Sequence, residues 1–252
     1  MKTLEKYCPV LTVLGLIGVW WMISALQNNS IIFPTPIETA GEMLKVFSDG
    51  GFYLSVLSSL LRTVVSFSIA FVLAVAFAVF ARLSTVVERL FYPIVVLVRA
   101  TPTMSVIFLC LIWFSSKISP MLVAIAVIFP TMYSSVLTAI KSCDEKLLEM
   151  SKIYKVPTRV TVFKLYLPFV SDKIFSDAVS ALSLNVKLIV AAEALAQTAQ
   201  SLGVLMQISK ANLDTATLFA YTVTAIVMSC LLELFLKLVR FIIRRIKNGK
   251  IK

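Results

Sequence analysis

Residues 55–81 read SVLSSLLRTVVSFSIAFVLAVAFAVFA, and how this run is read decides the fold. It carries one charge, Arg62. Crossing a hydrocarbon core of about 30 Å takes roughly 20 helical residues, so the run is long enough to span a bilayer. It must do so as a helix. In lipid an isolated apolar strand leaves its backbone N–H and C=O groups unsatisfied, whereas a helix pairs them internally. Five more apolar segments follow the same logic, roughly Pro9–Leu26, Ile94–Phe114, Met121–Ile140, Ile174–Leu195 and Ala216–Val239. The expected fold is all-α, a polytopic membrane helical bundle of six transmembrane helices in a single domain over residues 1–252.

Composition agrees. Of 252 residues, 59% are hydrophobic and 15% charged, with mean hydropathy +0.94. A soluble domain usually carries about a quarter charged residues. The net charge of +11 does not point to nucleic acid, because the basic residues fall in loops and form no basic face interleaved with aromatics. The four cysteines (Cys8, Cys110, Cys143, Cys230) are dispersed and there is no histidine, which argues against a zinc or haem site. Lys2 and Lys6 precede the first apolar run. Its length, the Trp20-Trp21 pair and the lack of an A-x-A-like site after it predict an uncleaved span.

Orientation follows from the lysines and arginines. With a cytoplasmic N-terminus, the inner loops and tail hold eighteen of them and the outer loops only Lys45, Lys117 and Lys210. Positive charge favours the inside, so both termini are expected to be cytoplasmic.

Two loops carry structure of their own. Thr35, Pro36 and Glu38 have the spacing of a capping box with proline at the first helical position. Ile37, Ala40, Leu44 and Phe47 then share one face, as in an interfacial helix or a loop helix packed on the bundle. The 141–170 segment reads as two short helices separated near Pro157, with apolar residues Leu147, Met150 and Tyr154 on the first and Val160, Phe163 and Leu167 on the second. A polar loop of this length with two apolar faces predicts an interaction element rather than a plain connector.

Several features sit at membrane depth. An ionisable side chain at the bilayer centre costs at least about 2.5–3.5 kcal/mol, so Arg62, Arg99, Lys187, Glu193 and Glu233 are expected to pair, snorkel or line a water-filled path. Glu233 has Lys237 four residues on and reads as a helix-surface pair. Arg62 lies about two turns from the outer end of its span and either snorkels or faces a path. Lys187 lies about 20 Å into the fifth span. It either pairs with an acid such as Glu193 or lines the route of an anionic or polar solute. Arg99-Ala-Thr101-Pro102 is expected to break the third span, and Pro130 to kink or open the fourth, because proline removes a backbone donor.

These features together resemble the permease subunit of ATP-binding-cassette (ABC) importers with the methionine-importer type of transmembrane fold. The branch is the one serving nitrate, sulfonate, taurine, bicarbonate or thiamine-precursor uptake. The landmarks are Ser59-Leu60-Leu61-Arg62, Arg82 through Glu88-Arg89 to Pro93, Arg99-Ala100-Thr101-Pro102, Val186-Lys187 through Ala191-Ala192-Glu193, and Ser201-Leu202-Gly203. Glu149-Met150-Ser151, Lys155 and Leu165-Tyr166-Leu167-Pro168 are similar to the family's docking loop, E-A-A, three, G, nine, I-x-L-P. The chain departs from it with Met150 and Ser151 for the alanines and Lys155 for the glycine. Either the turn differs there, or a left-handed lysine costs on the order of 1–2 kcal/mol.

The resemblance implies a non-catalytic translocation subunit in a prokaryotic cell membrane, working by alternating access. Glu149, Met150, Ser151, Lys155, Leu165, Leu167 and Pro168 would dock a cytoplasmic ABC ATPase. Arg62, Arg99, Thr101, Pro102, Lys187 and Glu193 are the candidates for the translocation path. Implied partners are ATPase subunits, a second and identical permease subunit, an extracytoplasmic solute-binding protein and the bilayer. The chain has no G-x-x-x-x-G-K-[ST] loop, so ATP and magnesium would be bound by the ATPase and no cofactor by this chain. The competing reading is a secondary transporter or channel working without an ATPase. A membrane enzyme fits less well, since the nearest acid pairs, Asp144 with Glu149 and Asp172 with Asp177, lie in a charged loop.

Overall fold

The computed structural model describes residues 2–27, 29–142, 150, 153–154, 156–157, 160 and 167–249. The described residues form α1 (Lys2–Gln27), α2 (Pro36–Phe47), α3 (Gly50–Leu83), α4 (Thr85–Ala100), α5 (Thr103–Trp113), α6 (Ser119–Lys141), α7 (Leu167–Ala196), α8 (Leu202–Ala211) and α9 (Thr215–Gly249). Five of these, α1, α3, α6, α7 and α9, are long and apolar enough to cross a membrane.

The third expected span is not one helix. α4 and α5 meet at 97°. With 16 and 11 residues, they are about 24 and 16 Å long, so neither readily crosses a bilayer alone. The cause is local. Thr101 is extended (φ −69, ψ 127), as a residue preceding proline prefers, and Pro102 brings no N–H to continue the ladder. Six spans are reached only when this bent pair is counted as one. Pro130, by contrast, leaves α6 unbroken from Ser119 to Lys141. The hydroxyls of Thr131 and Ser134 donate to the carbonyls of Val127 and Pro130, four residues earlier, at 3.1 and 3.0 Å.

The core lies where α3 packs on α6 and α6 on α7. Ala70, Ala74, Ala78 and Ala81 make a small-residue seam down α3, which lets the backbones approach closely. Ile128, Met132 and Val136 of α6 and Ala178, Leu182 and Val186 of α7 complete the same cluster.

α2 begins with the expected capping box. Thr35 Oγ1 accepts from the Glu38 N–H at 3.1 Å, and Glu38 Oε2 accepts from the Thr35 N–H at 2.8 Å. Thr39 and Val46 are its buried residues, and it packs mainly on α9. Its apolar stripe faces away from the bundle, with Ile37 64% and Leu44 70% exposed. α1 is held at one end, where Trp20 Nε1 donates to the Pro34 carbonyl and Ser24 Oγ to that of Phe33, each at 3.0 Å. From Val10 to Leu26 the large apolar side chains of α1 are mostly exposed.

Candidate functional site

The six residues expected at the path fall in three places. Arg62 and Glu193 form a buried anchor. Ser59 and Arg62 are one turn apart on α3 and face the same way. Arg62 donates to Glu193 Oε1 at 2.8 Å and Ser59 Oγ to Oε2 at 2.7 Å. The N-terminus of α8 adds the Gly203 N–H, which donates to Oε2 at 3.3 Å, while the Leu202 N–H donates to Ser59 Oγ at 2.9 Å. Glu193 is 0% exposed and the Arg62 side chain 16%. Arg62 therefore does not snorkel. It neutralises an acid carried by another helix.

The close approach of α8 to α7 requires a glycine. A Cβ on Gly203 would fall 2.3 Å from the Val190 carbonyl oxygen and 2.6 Å from the Ala194 nitrogen. The connecting turn is strained, with Gln197 (φ 47) and Gln200 (φ 49) in the left-handed region. It is held there by Thr198, whose N–H donates to the Glu193 carbonyl at 3.1 Å and whose hydroxyl donates to that of Ser116 at 2.8 Å. Such strain persists only where surrounding contacts fix the backbone. A second buried tie joins the same helices, with Asn185 Nδ2 donating to the Thr63 carbonyl at 2.8 Å and to Ser66 Oγ at 3.1 Å.

Lys187 does not pair with Glu193. Six residues on, at 100° each, Glu193 points about 120° away around α7. The lysine instead lines a cavity of about 610 Å³ between α7, α8 and α9, with Gln207, Lys210, Thr222, Ser229 and Glu233 among otherwise apolar walls. Among the described residues, neither the Lys187 nor the Lys210 ammonium has a hydrogen-bond or ion-pair partner. A second cleft of about 310 Å³ continues beyond it, lined by Ser176, Ser180, Lys237 and Arg240, and Glu233 lines both. Ser176, Ser180, Ser183 and Lys187 follow the 4-3-4 spacing of one helical face, so α7 presents a polar stripe along its length. Glu233 does pair with Lys237, at 3.3 Å. It also accepts a hydrogen bond from Ser183 across the groove, a contact that spacing along α9 could not reveal.

Arg99, Thr101 and Pro102 are not among the groove-lining residues. They sit exposed at the α4–α5 elbow, where Arg99 donates weakly to Ser134 Oγ at 3.4 Å and Thr101 Oγ1 to the Leu97 carbonyl at 2.8 Å.

Of the expected docking residues, Glu149, Ser151, Lys155 and Leu165 lie outside the described residues. Leu167 and Pro168 are the first described residues of α7. Met150 is exposed, as are Ile153 and Tyr154, each 75%. The Tyr154 N–H donates to the Met150 carbonyl at 3.0 Å.

An all-helical membrane bundle with a charged groove between two spans defines a polytopic transport subunit. The chain belongs to the family of binding-protein-dependent transport system inner membrane components, which matches residues 70–248. It is similar to the taurine transport system permease protein TauC of Escherichia coli (strain K12), with 25% identity over 233 residues, 90% of this chain and 84% of that protein. It is thus a permease subunit of an ABC importer, a multi-pass protein of the prokaryotic inner membrane, which sets aside a transporter working without an ATPase. The family is one of transport permeases rather than of enzymes, and its systems include a binding protein.

Proposed function

We propose that this permease moves a small organic solute bearing an anionic group, of the sulfonate type, into the cell along the α7–α9 groove. One observation carries the reading: Lys187 is deep in a span, has no counter-ion among the described residues, and opens onto a cavity large enough for such a solute. A cation kept at membrane depth marks a solute or ion pathway by default. Apolar walls that include Val190, Met206 and Ile226 suit an organic body better than a bare inorganic ion. The taurine permease named above supports the same solute class.

The rest of the assembly is inferred from the family and the sequence. Both termini and the 141–170 segment face the cytoplasm, as the basic residues require. There the exposed apolar side chains of Met150, Ile153 and Tyr154 offer a surface to an ATPase. An identical copy of the chain completes the path, and an external binding protein delivers the solute. ATP and magnesium are held by the ATPase. The buried Arg62–Glu193 anchor fixes α3, α7 and α8 behind the groove rather than touching solute.

The test is uptake into proteoliposomes by the reconstituted complex. Replacing Lys187 with Met is expected to lower uptake at least about tenfold while the complex stays intact, and Arg to restore part of it, since one charge-assisted contact is roughly this strong. Full uptake by the Met variant, or a complex that falls apart, overturns the role given to Lys187.

A further inference from the structure

Glu233 is left unexplained by a path for anionic groups. Among the described residues it is the one acid that lines the cavity, and the unpaired side chain of Lys187 lines the opposite wall. Ser183 fixes its height. This serine donates to the Glu233 carboxylate and sits one turn, about 6 Å, along α7 from Lys187. Yet Lys187 and Glu233 form no ion pair. The cavity is therefore lined by a cation on α7 and an anion on the facing α9, and the serine that holds the anion lies one turn of α7 from the cation.

We infer that Glu233 is a specificity-determining residue that reads a positive group on the solute, so that the groove is built for a dipolar molecule and not for a simple anion. The solute's sulfonate or carboxylate meets Lys187, and its ammonium, two or three bonds away, meets Glu233. The carboxylate already has a cation to exchange. Its partner Lys237 is a neighbour on the same helix at 3.3 Å, with side chains 61% and 32% exposed, and pairs of this kind contribute little. An arriving ammonium can take its place, and Lys237 can turn towards the second cleft, which it also lines. A simple anion gains only the lysines of the cavity and has no group to offer Glu233, which stays paired with Lys237. Opposite charges placed for the right solute, and against the wrong one, are how such sites discriminate.

The inference rests on the groove being the solute path, and Cys230 allows both to be tested together. This cysteine is exposed and lines the same cavity, less than one turn from Glu233. Alkylation of Cys230 by a small maleimide, in the intact transporter complex, would be followed by peptide mass spectrometry in the presence of taurine, ethanesulfonate or ethylamine. Taurine is expected to protect at about a tenfold lower concentration than ethanesulfonate, the gain from one charge-assisted contact. Glu233→Gln should abolish that advantage and Glu233→Asp retain part of it. Equal protection by taurine and ethanesulfonate, or an advantage that survives Glu233→Gln, overturns the inference and leaves the path standing. Protection by neither solute overturns the path and the inference with it.

Discussion

Replacing Arg62 with Ala removes the one positive charge paired, among the described residues, with a carboxylate that has no contact with solvent. Glu193 would keep two neutral donors, the Ser59 hydroxyl at 2.7 Å and the Gly203 N–H at 3.3 Å. Breaking a buried ion pair by removing one partner costs about 3–5 kcal/mol. Because the arginine side chain is 16% exposed and its charge partly solvated, the lower end applies. For a chain of this size each kcal/mol shifts the melting point by about 2–4 °C, so about 3 kcal/mol corresponds to roughly 6–12 °C. Thermal unfolding of the detergent-solubilised complex, followed by size-exclusion fluorescence, would read this directly. The Glu193→Leu single variant strands the arginine in turn. The double variant Arg62→Ala with Glu193→Leu leaves no uncompensated charge, so it should lie well above the sum of the two losses. A melting point for Arg62→Ala within about 2 °C of wild type, or strict additivity in the double variant, would refute the reasoning.

Three further outcomes follow from local geometry. Gly203→Ala pushes a Cβ into backbone atoms of α7 that cannot move aside, so the cost should reach or exceed the upper end of the roughly 1–3 kcal/mol seen for overpacking, read as loss of monodisperse protein. Thr35→Ala removes one half of the α2 capping box and should cost about 1 kcal/mol, a melting shift of a few degrees with uptake unchanged. Tyr154→Asp puts a charge on the exposed apolar turn and should weaken co-purification of the ATPase without lowering expression; full recovery of the ATPase would place docking elsewhere.

Much of the architecture was legible because it depends on properties of contiguous residues. Apolar length marked the spans, and the α2 capping box was readable because both its hydrogen bonds close within four residues. Arg99-Ala-Thr-Pro102 announced a break, since proline acts on its own neighbours, though not a 97° turn that makes two helices of one expected span. The site was legible only in its parts. Arg62, Lys187 and Glu193 stood out as charges in apolar runs, but the partner of Glu193 lies 131 residues away. Glu233 was read through Lys237 alone, because the contact with Ser183 crosses between helices. The 4-3-4 spacing of Ser176, Ser180, Ser183 and Lys187 was the available signal for the groove.

By itself, then, the sequence determined that this chain crosses a membrane as helices, where its polar breaks fall, and which charges needed an explanation. Hydropathy, capping and proline chemistry act within a turn or two of the chain, so they can be read in one dimension. The tertiary structure alone decided which buried charges neutralise each other and which are left facing a cavity. Burial makes an unpaired charge costly, but the choice of partner depends on how α3, α7, α8 and α9 pack, and that packing is a property of the whole bundle.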